Sequence, residues 1–392
     1  MKRAALVACV AAAGAALGVS ASASATTFCV PAFHPACPNN GANVAEANVE
    51  TAMGAEGDDG VPDLVLIAPG EVSSISSIVP EGSDPLTVRG SGPDATTITV
   101  DTSANVVVLD LYGNGMNTRD VTVEDLKIAV PNAIPAGEGF AVQLGGDTLD
   151  NVAVVSRNAA GSGAGSGGVS AQTDGGVIRN STIGEENGGS MGTAVSSPTE
   201  DTIIVEDTTI DGAVSAVSAT TPGASILARR VSVTNPLQIA FGASAGLLIV
   251  QNSTVQTTST SAVGAATNSA NDSVVIADHL TAVNSGPANI AAIASNVFLN
   301  GTSGDANLTV TNSIFRGFGT GWQRQEFVNT TGAANLTVRY SNLPQSGSEL
   351  PGAGGGTLTT SNLITEDPLF AGPADFHLTT GSPSIDAGDP AA

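Results

Sequence analysis

Three aspartates, Asp147, Asp174 and Asp201, are the residues whose type and spacing could do chemistry in this chain. They precede a recurring Asn or Asp (Asn151, Asn180 and Asp207) by four, six and six positions. If the segments carrying them stack as neighbouring strands, the carboxylates lie about 5 Å apart. Carboxylates so placed share protons or hold a hard cation such as Ca2+, which takes oxygen ligands. Glu200 and Arg179 are near enough in sequence to assist. The competing account is that Asp is common in turns, in a chain with 36 acidic residues.

Other reactive types are few. Lys127 is the only lysine after the N-terminal segment, beside Glu124 and Asp125, where a solvated surface role accounts for it. Arg229 and Arg230 have no evident catalytic partner. Trp322 is the single tryptophan, and packing beneath an irregular coil explains it better than a binding platform. Cys29 and Cys37, close together in FCVPAFHPAC, read as a disulfide of an exported chain. A metal site from Cys29, His34 and Cys37 lacks a fourth ligand.

The elements that must position these groups belong to a repeat. LTVTNSIF, Leu308 to Phe315, recurs in degraded form, and its turning residue Asn312 has counterparts at Asp125, Asn151, Asn180, Asp207, Arg230, Asn252, Asp278 and Tyr340. The steps run from 22 to 34 residues, a period that signifies a solenoid. Val, Ile and Thr alternate in each copy, no copy has helical apolar spacing, and 47 glycines weaken helices throughout. The repeat is therefore β. Asn and Asp suit its sharp corner because they tolerate a left-handed backbone and bond locally. At roughly 27 residues per coil, about eleven coils are expected.

Met1 to Ala25 reads as a secretory leader, with Lys2 and Arg3 before an apolar run and Ala23-Ser24-Ala25 as the cleavage site. Residues 26–62 should form the disulfide loop and an N-terminal cap, with ANVAEANVETAM (Ala42 to Met53) as its helix. Residues 63–366 should be the coil, and residues 367–392 a closing cap. The net charge of −24 excludes nucleic acid and anionic membrane as partners, and repels polyuronates unless a cation intervenes.

Two stretches carry a family resemblance. LVLIAPG followed by LTVRGSGPDATTI resembles the opening of bacterial right-handed parallel β-helix proteins of the pectate-lyase-like group. Asp367 to Phe370, Asp375 to Leu378 and Ser382 to Asp389 resemble the closing segment of choice-of-anchor surface proteins. The resemblance implies an all-β, right-handed parallel β-helix with a short N-terminal capping helix. Such proteins usually continue into a further strand and an anchor, so the expectation is either a released protein or the front part of a longer one.

The resemblance also implies a ligand groove along the strand that precedes each corner repeat. Here those strands are AVQLGG, VSAQTDGG, TAVSSPTE, AVSAVSATT, QIAFGAS, SAVGAAT and AAIASNVF, nearly free of acids, bases and aromatics. Glycoside hydrolysis needs two carboxylates, and lyase chemistry needs a base with a cation. The sequence reading is therefore a secreted or cell-surface-associated monomer that binds polysaccharide or cell-surface components without catalysis. A polysaccharide lyase or glycoside hydrolase is the alternative, and a purely structural envelope rod the second. No catalytic residue is assigned.

Overall fold

The computed structural model describes residues 25–55, 60–74, 77–82, 84–100, 107–112, 120–130, 139–157, 167–258, 260–288, 290–298 and 303–390. Apart from Ala25, the expected leader lies outside the described residues. The chain is a right-handed parallel β-helix, and the strands among its described residues form a 20-stranded and a 10-stranded sheet. Each full coil gives one strand to the smaller sheet, then one on each side of the corner to the larger. Ten strands stack in the smaller sheet. Early strands such as Thr27–Val30 and Asp63–Ile67 extend only the larger one.

The interior follows from alternation. Val123, Leu149, Ile178, Val205, Ala228, Val250, Ala277, Val310 and Val338 pair in register from coil to coil, and every one is fully buried.

The corner is left-handed, with φ of 56° at Asp125, 55° at Asn151, 53° at Asn180, 50° at Asn252 and 49° at Asn312. Asn151 Nδ2 donates to Asp125 Oδ1 at 2.7 Å, and Asn180 Nδ2 to Asp150 Oδ1 at 2.8 Å. The Ser that often follows the corner has a structural task. The hydroxyl of Ser181 donates to its own coil at Arg179 O and accepts from Val152 N–H of the coil before, at 2.7 and 3.1 Å. Ser253 and Ser313 repeat this pattern.

Two expectations about this column shift. The corner residue is His279 (φ 54°) and not Asp278, because Asp278 pairs with Gln251, one residue before the corner Asn252. Asn362 (φ 51°) extends the row by a further coil. At Arg230 the guanidinium replaces the amide and clasps both Asp207 oxygens, at 2.6 and 2.7 Å.

At the N-terminal end the expected helix is shorter than Ala42 to Met53 and covers Val49–Gly54. Asn48 caps it by accepting Thr51 N–H at 2.7 Å. Val44–Ala45 instead pairs with Phe28 and Cys29 as a short strand. Val49, Ala52 and Met53 are buried, which covers the first coil. Cys29 and Cys37 are disulfide-bonded, with Cα atoms 5.6 Å apart, so neither is available to a metal. Closing this loop removes about 2–3 kcal/mol of unfolded-chain entropy in the polymer account.

The closing segment folds back along the corner column. Phe370 and Leu378 pair as an antiparallel bridge. Asp389 N–H donates to Asn312 Oδ1 across 77 residues at 2.7 Å, and Asn342 Nδ2 donates to Ser384 Oγ at 2.8 Å. Among the described residues no helix is long and apolar enough to cross a membrane.

Candidate functional site

The strands predicted to line the groove are the strands of the ten-stranded sheet, including Gly167–Ala171, Met191–Ser197 and Ala213–Ala219. Asp174 and Asp201 occupy the turns that leave the first two of these. Gly176 pairs with Ile203, Val177 with Ile204 and Ile178 with Val205, a register that sets Asp174 opposite Asp201 on adjacent coils, about 4.8 Å apart along the stack. Asp174 is exposed and left-handed, with φ 66°; Asp201 is half-buried. The Asp201 backbone is tied down, its carbonyl accepting Ser225 N–H at 3.0 Å and the Ser197 hydroxyl at 3.4 Å. Glu200 lies against Gly223, where a Cβ would come within 2.8 Å of the Glu200 Cγ.

Asp147 does not join this pair. Thr148 pairs with Val177, so Asp147 is level with Gly176 and Ile203, in a column that faces the core. It is 1 % exposed. Its carboxylate accepts Gly145 N–H at 2.7 Å and Val121 N–H at 3.0 Å, and burial outweighs those bonds to raise its pKa from 3.8 to about 6. Four residues before the corner point inward where six point outward. Among the described residues no group of three or more His, Cys, Asp or Glu could hold a metal ion, so the three aspartates do not assemble as one Ca2+ site.

The suspected cations are engaged elsewhere. Lys127 pairs with Glu186 at 3.0 Å, not with Glu124 or Asp125, and Arg157 bridges Glu186 and Glu71 at 2.8 and 2.9 Å. This network lies on the strands after the corner. Arg179 pairs with Asp150 at 2.9 Å and Arg229 with Glu206 at 3.3 Å. Each such pair stabilises by well under about 1 kcal/mol.

Glu185 neighbours that network without a cation of its own. Both its oxygens are buried without a well-formed hydrogen bond among the described residues, the Ser156 hydroxyl lying alongside. Burial raises its pKa from 4.5 to about 7. For Asp147 and Glu185 the folded state holds the proton more tightly, so stability falls as pH rises through their folded values. Asp147 alone contributes on the order of 3 kcal/mol to this fall between about pH 4 and pH 6. Groups with lowered values, such as Glu186, act in the opposite sense and below pH 4.5. Thermal unfolding is therefore expected to show an acid optimum near pH 4–5. Glu185→Gln should raise the midpoint at pH 8 by about a few degrees and leave it unchanged at pH 4; an unaltered pH profile would contradict the raised value.

The sequence reading missed the far end of the same sheet. In Thr320–Glu326, Trp322 stacks in register after Phe241, Val263 and Ile293, packed against the core as expected. Arg324 and Glu326 point inward with side chains 6 % and 0 % exposed, and Arg324 also pairs with Glu349 at 2.9 Å. The alternation R-x-E within a strand was the available signal. Phe298 and Phe327 follow their strands as Asp174 and Asp201 follow theirs, on the same edge of the rod. Their ring centroids are 5.2 Å apart, and Phe327 and the neighbouring Val328 are 38 % and 76 % exposed.

No family model matches the chain, and no curated protein matches its sequence. Among solved structures it is similar to the catalytic domain of a GH87 alpha-1,3-glucanase variant in complex with nigerose, with 11 % identity and a TM-score of 0.51 over 75 % of this chain and 63 % of that one. It is also similar to the catalytic unit of a thermostable GH87 alpha-1,3-glucanase from Streptomyces thermodiastaticus strain HF3-3, with 13 % identity and a TM-score of 0.46 over 78 % and 64 % of the two chains. For an alginate lyase from Paenibacillus sp. str. FPU-7 the values are 11 %, 0.44, 87 % and 99 %. The chain thus spans under two thirds of the glucanase structures' length. At these identities the likeness establishes the parallel β-helix and nothing of the chemistry.

Proposed function

We propose that this protein takes a neutral polysaccharide along the edge of its ten-stranded sheet and hydrolyses it, with Asp174 and Asp201 as the paired carboxylates. The observation that carries this reading is their register, which sets two solvent-accessible aspartates level on adjacent coils. Retaining glycosidases hold their two carboxyl groups about 5–5.5 Å apart: one protonates the departing oxygen while the other attacks the anomeric carbon, and water, deprotonated by the first, then displaces the second to release the sugar. Phe298 and Phe327 supply aromatic faces farther along the edge, of the kind a sugar chain packs on.

A neutral chain suits a protein of net charge −24, since a polyuronate would approach against the field. Lys127, the lysine that a lyase reading would use as base, is paired with Glu186 on another face. The α-1,3-glucan-type ligand of the GH87 neighbour, nigerose, is the first compound to try. Export, through a leader ending at Ala25, is supported by the disulfide, a bond of oxidising compartments; residues 63–366 would then be the coil that meets the glycan outside the cell.

Non-catalytic glycan binding is the second reading. Ser170, Ser196, Ser218, Gly242, Gly264 and Ala294 align across the smaller sheet, a run of small residues without acid or base that reaches Asp110, through Gln143, only at its N-terminal end. Reducing-end release from α-1,3-, α-1,4- and β-1,3-glucans, with pectate and alginate alongside, tests both. Release from a neutral glucan is expected. Saturable binding without release would establish the second reading, and unsaturated products from a uronate alone would overturn the neutral-substrate proposal.

A further inference from the structure

Near its C-terminal end the corner column changes character. Most corners are short Asn or Asp, but His279 and Tyr340 place rings there at φ 54° and 47°, a backbone region that bulky residues rarely occupy. Both rings line a cavity of about 370 Å3 between the column and the folded-back closing segment, with Asn312, Asn342, Phe376 and Asp386. That volume falls at the lower end of small-molecule sites, about 300–1,000 Å3. The wall opposite is fixed by the bonds from Asp389 to Asn312 and from Asn342 to Ser384.

Two polar side chains in this wall are held in place. Asn342 is 2 % exposed; its amide nitrogen donates to Glu366 O and Ser384 Oγ, at 3.0 and 2.8 Å, and its Oδ1 is buried without a partner among the described residues. His279 Nδ1 is bonded to Asp278 at 2.9 Å, and the same carboxylate accepts the Thr311 hydroxyl and Asn312 Nδ2, both at 2.8 Å. The imidazole is thereby oriented with Nε2 left for a ligand.

We propose that this cavity binds a neutral saccharide unit, as a second glycan site independent of the sheet edge. Tyr340 and Phe376 offer ring faces to the C–H side of a sugar, while His279 Nε2 and Asp386 accept from its hydroxyls. An anion finds no cation in the lining and a carboxylate against it. A quaternary amine would use the rings and Asp386 but has no N–H to donate to His279 Nε2.

The test uses the full secreted chain, titrated with glucose, galactose, N-acetylglucosamine and nigerose by calorimetry and saturation-transfer NMR, with choline and glucuronate as contrasts. Tyr340→Asn removes the ring but supplies the residue that the corner favours, so the fold should persist with its unfolding midpoint retained. Tyr340→Asn and Phe376→Ala should each weaken binding of the neutral sugar at least about tenfold and leave polysaccharide turnover unchanged. Asp174→Asn should leave this binding intact, which separates its failure from that of the sheet-edge reading. The proposal is overturned if no neutral sugar binds, if choline or glucuronate binds instead, or if the two aromatic variants bind as tightly as the parent.

Discussion

Asp174→Asn and Asp201→Asn are each expected to lower turnover of the neutral polysaccharide by about 10²–10⁴-fold, the range for removing a positioned acid, base or nucleophile. Stability should hardly change. Asp174 is exposed at a left-handed position, and Asn tolerates that backbone as well as Asp does. Asp201 keeps its coil in place through its carbonyl, which the substitution retains. The two variants should also be non-additive, the double variant being no slower than about the worse single one, because the groups act as a unit. Glu200→Gln should cost far less. Substrate affinity, measured on the inactive variants, should stay within about threefold of the parent if ring faces rather than carboxylates provide the binding. Full activity in both single variants would remove hydrolysis at this pair from consideration.

The parallel β-helix was legible because it is written in a period. Steps in the twenties, alternation within each copy and a corner that tolerates a left-handed backbone each constrain the same architecture. The Ser after the corner carries part of that signal, since its hydroxyl ties two coils together. The disulfide was legible for a different reason, being the only pairing open to two cysteines eight residues apart.

The site was legible only as residue types. Whether an aspartate faces solvent or core depends on which residue of the neighbouring coil it pairs with, a contact separated by a coil's length of sequence. Offsets of four and six residues from the corner both have the parity of a strand, yet the turn between sheets breaks that parity. Asp147 therefore fell inward and Asp174 outward. Asp278 and His279 show the same sensitivity at a distance of one residue, because only pairing with Gln251 and Asn252 tells which is the corner. The path of the closing segment back along the column depends on single bonds, such as that of Asp389 to Asn312, which leave no periodic trace in the sequence.

The largest effect on stability is expected from Glu326→Ala. The Glu326 carboxylate accepts Gly356 N–H at 2.7 Å, Gly352 N–H at 2.9 Å and Ala334 N–H at 3.0 Å, with Arg324 at 3.4 Å. Burial alone would raise its pKa, but these amides and Arg324 outweigh it and the value is lowered. Truncation would strip three backbone donors of their acceptor and leave the buried Arg324 with the Gly356 carbonyl and, as its remaining carboxylate, Glu349 at its outer side. Breaking a buried pair in this way costs about 3–5 kcal/mol. In a solenoid each coil is held by its neighbours, so the loss should appear as fraying of the last coils before the whole rod melts. Hydrogen exchange should accelerate across Ala334–Arg339 and leave Asp63–Ile67 at parental rates. Because the folded pKa is depressed, the parent should lose the same protection as pH falls below about 4.5 through the lowered value, whereas Glu326→Ala should show no such step. Glu326→Gln, which keeps one acceptor, should fall between the two. Uniform protection along the rod in Glu326→Ala would mean that the Arg324 pair contributes nothing to closing this end of the coil.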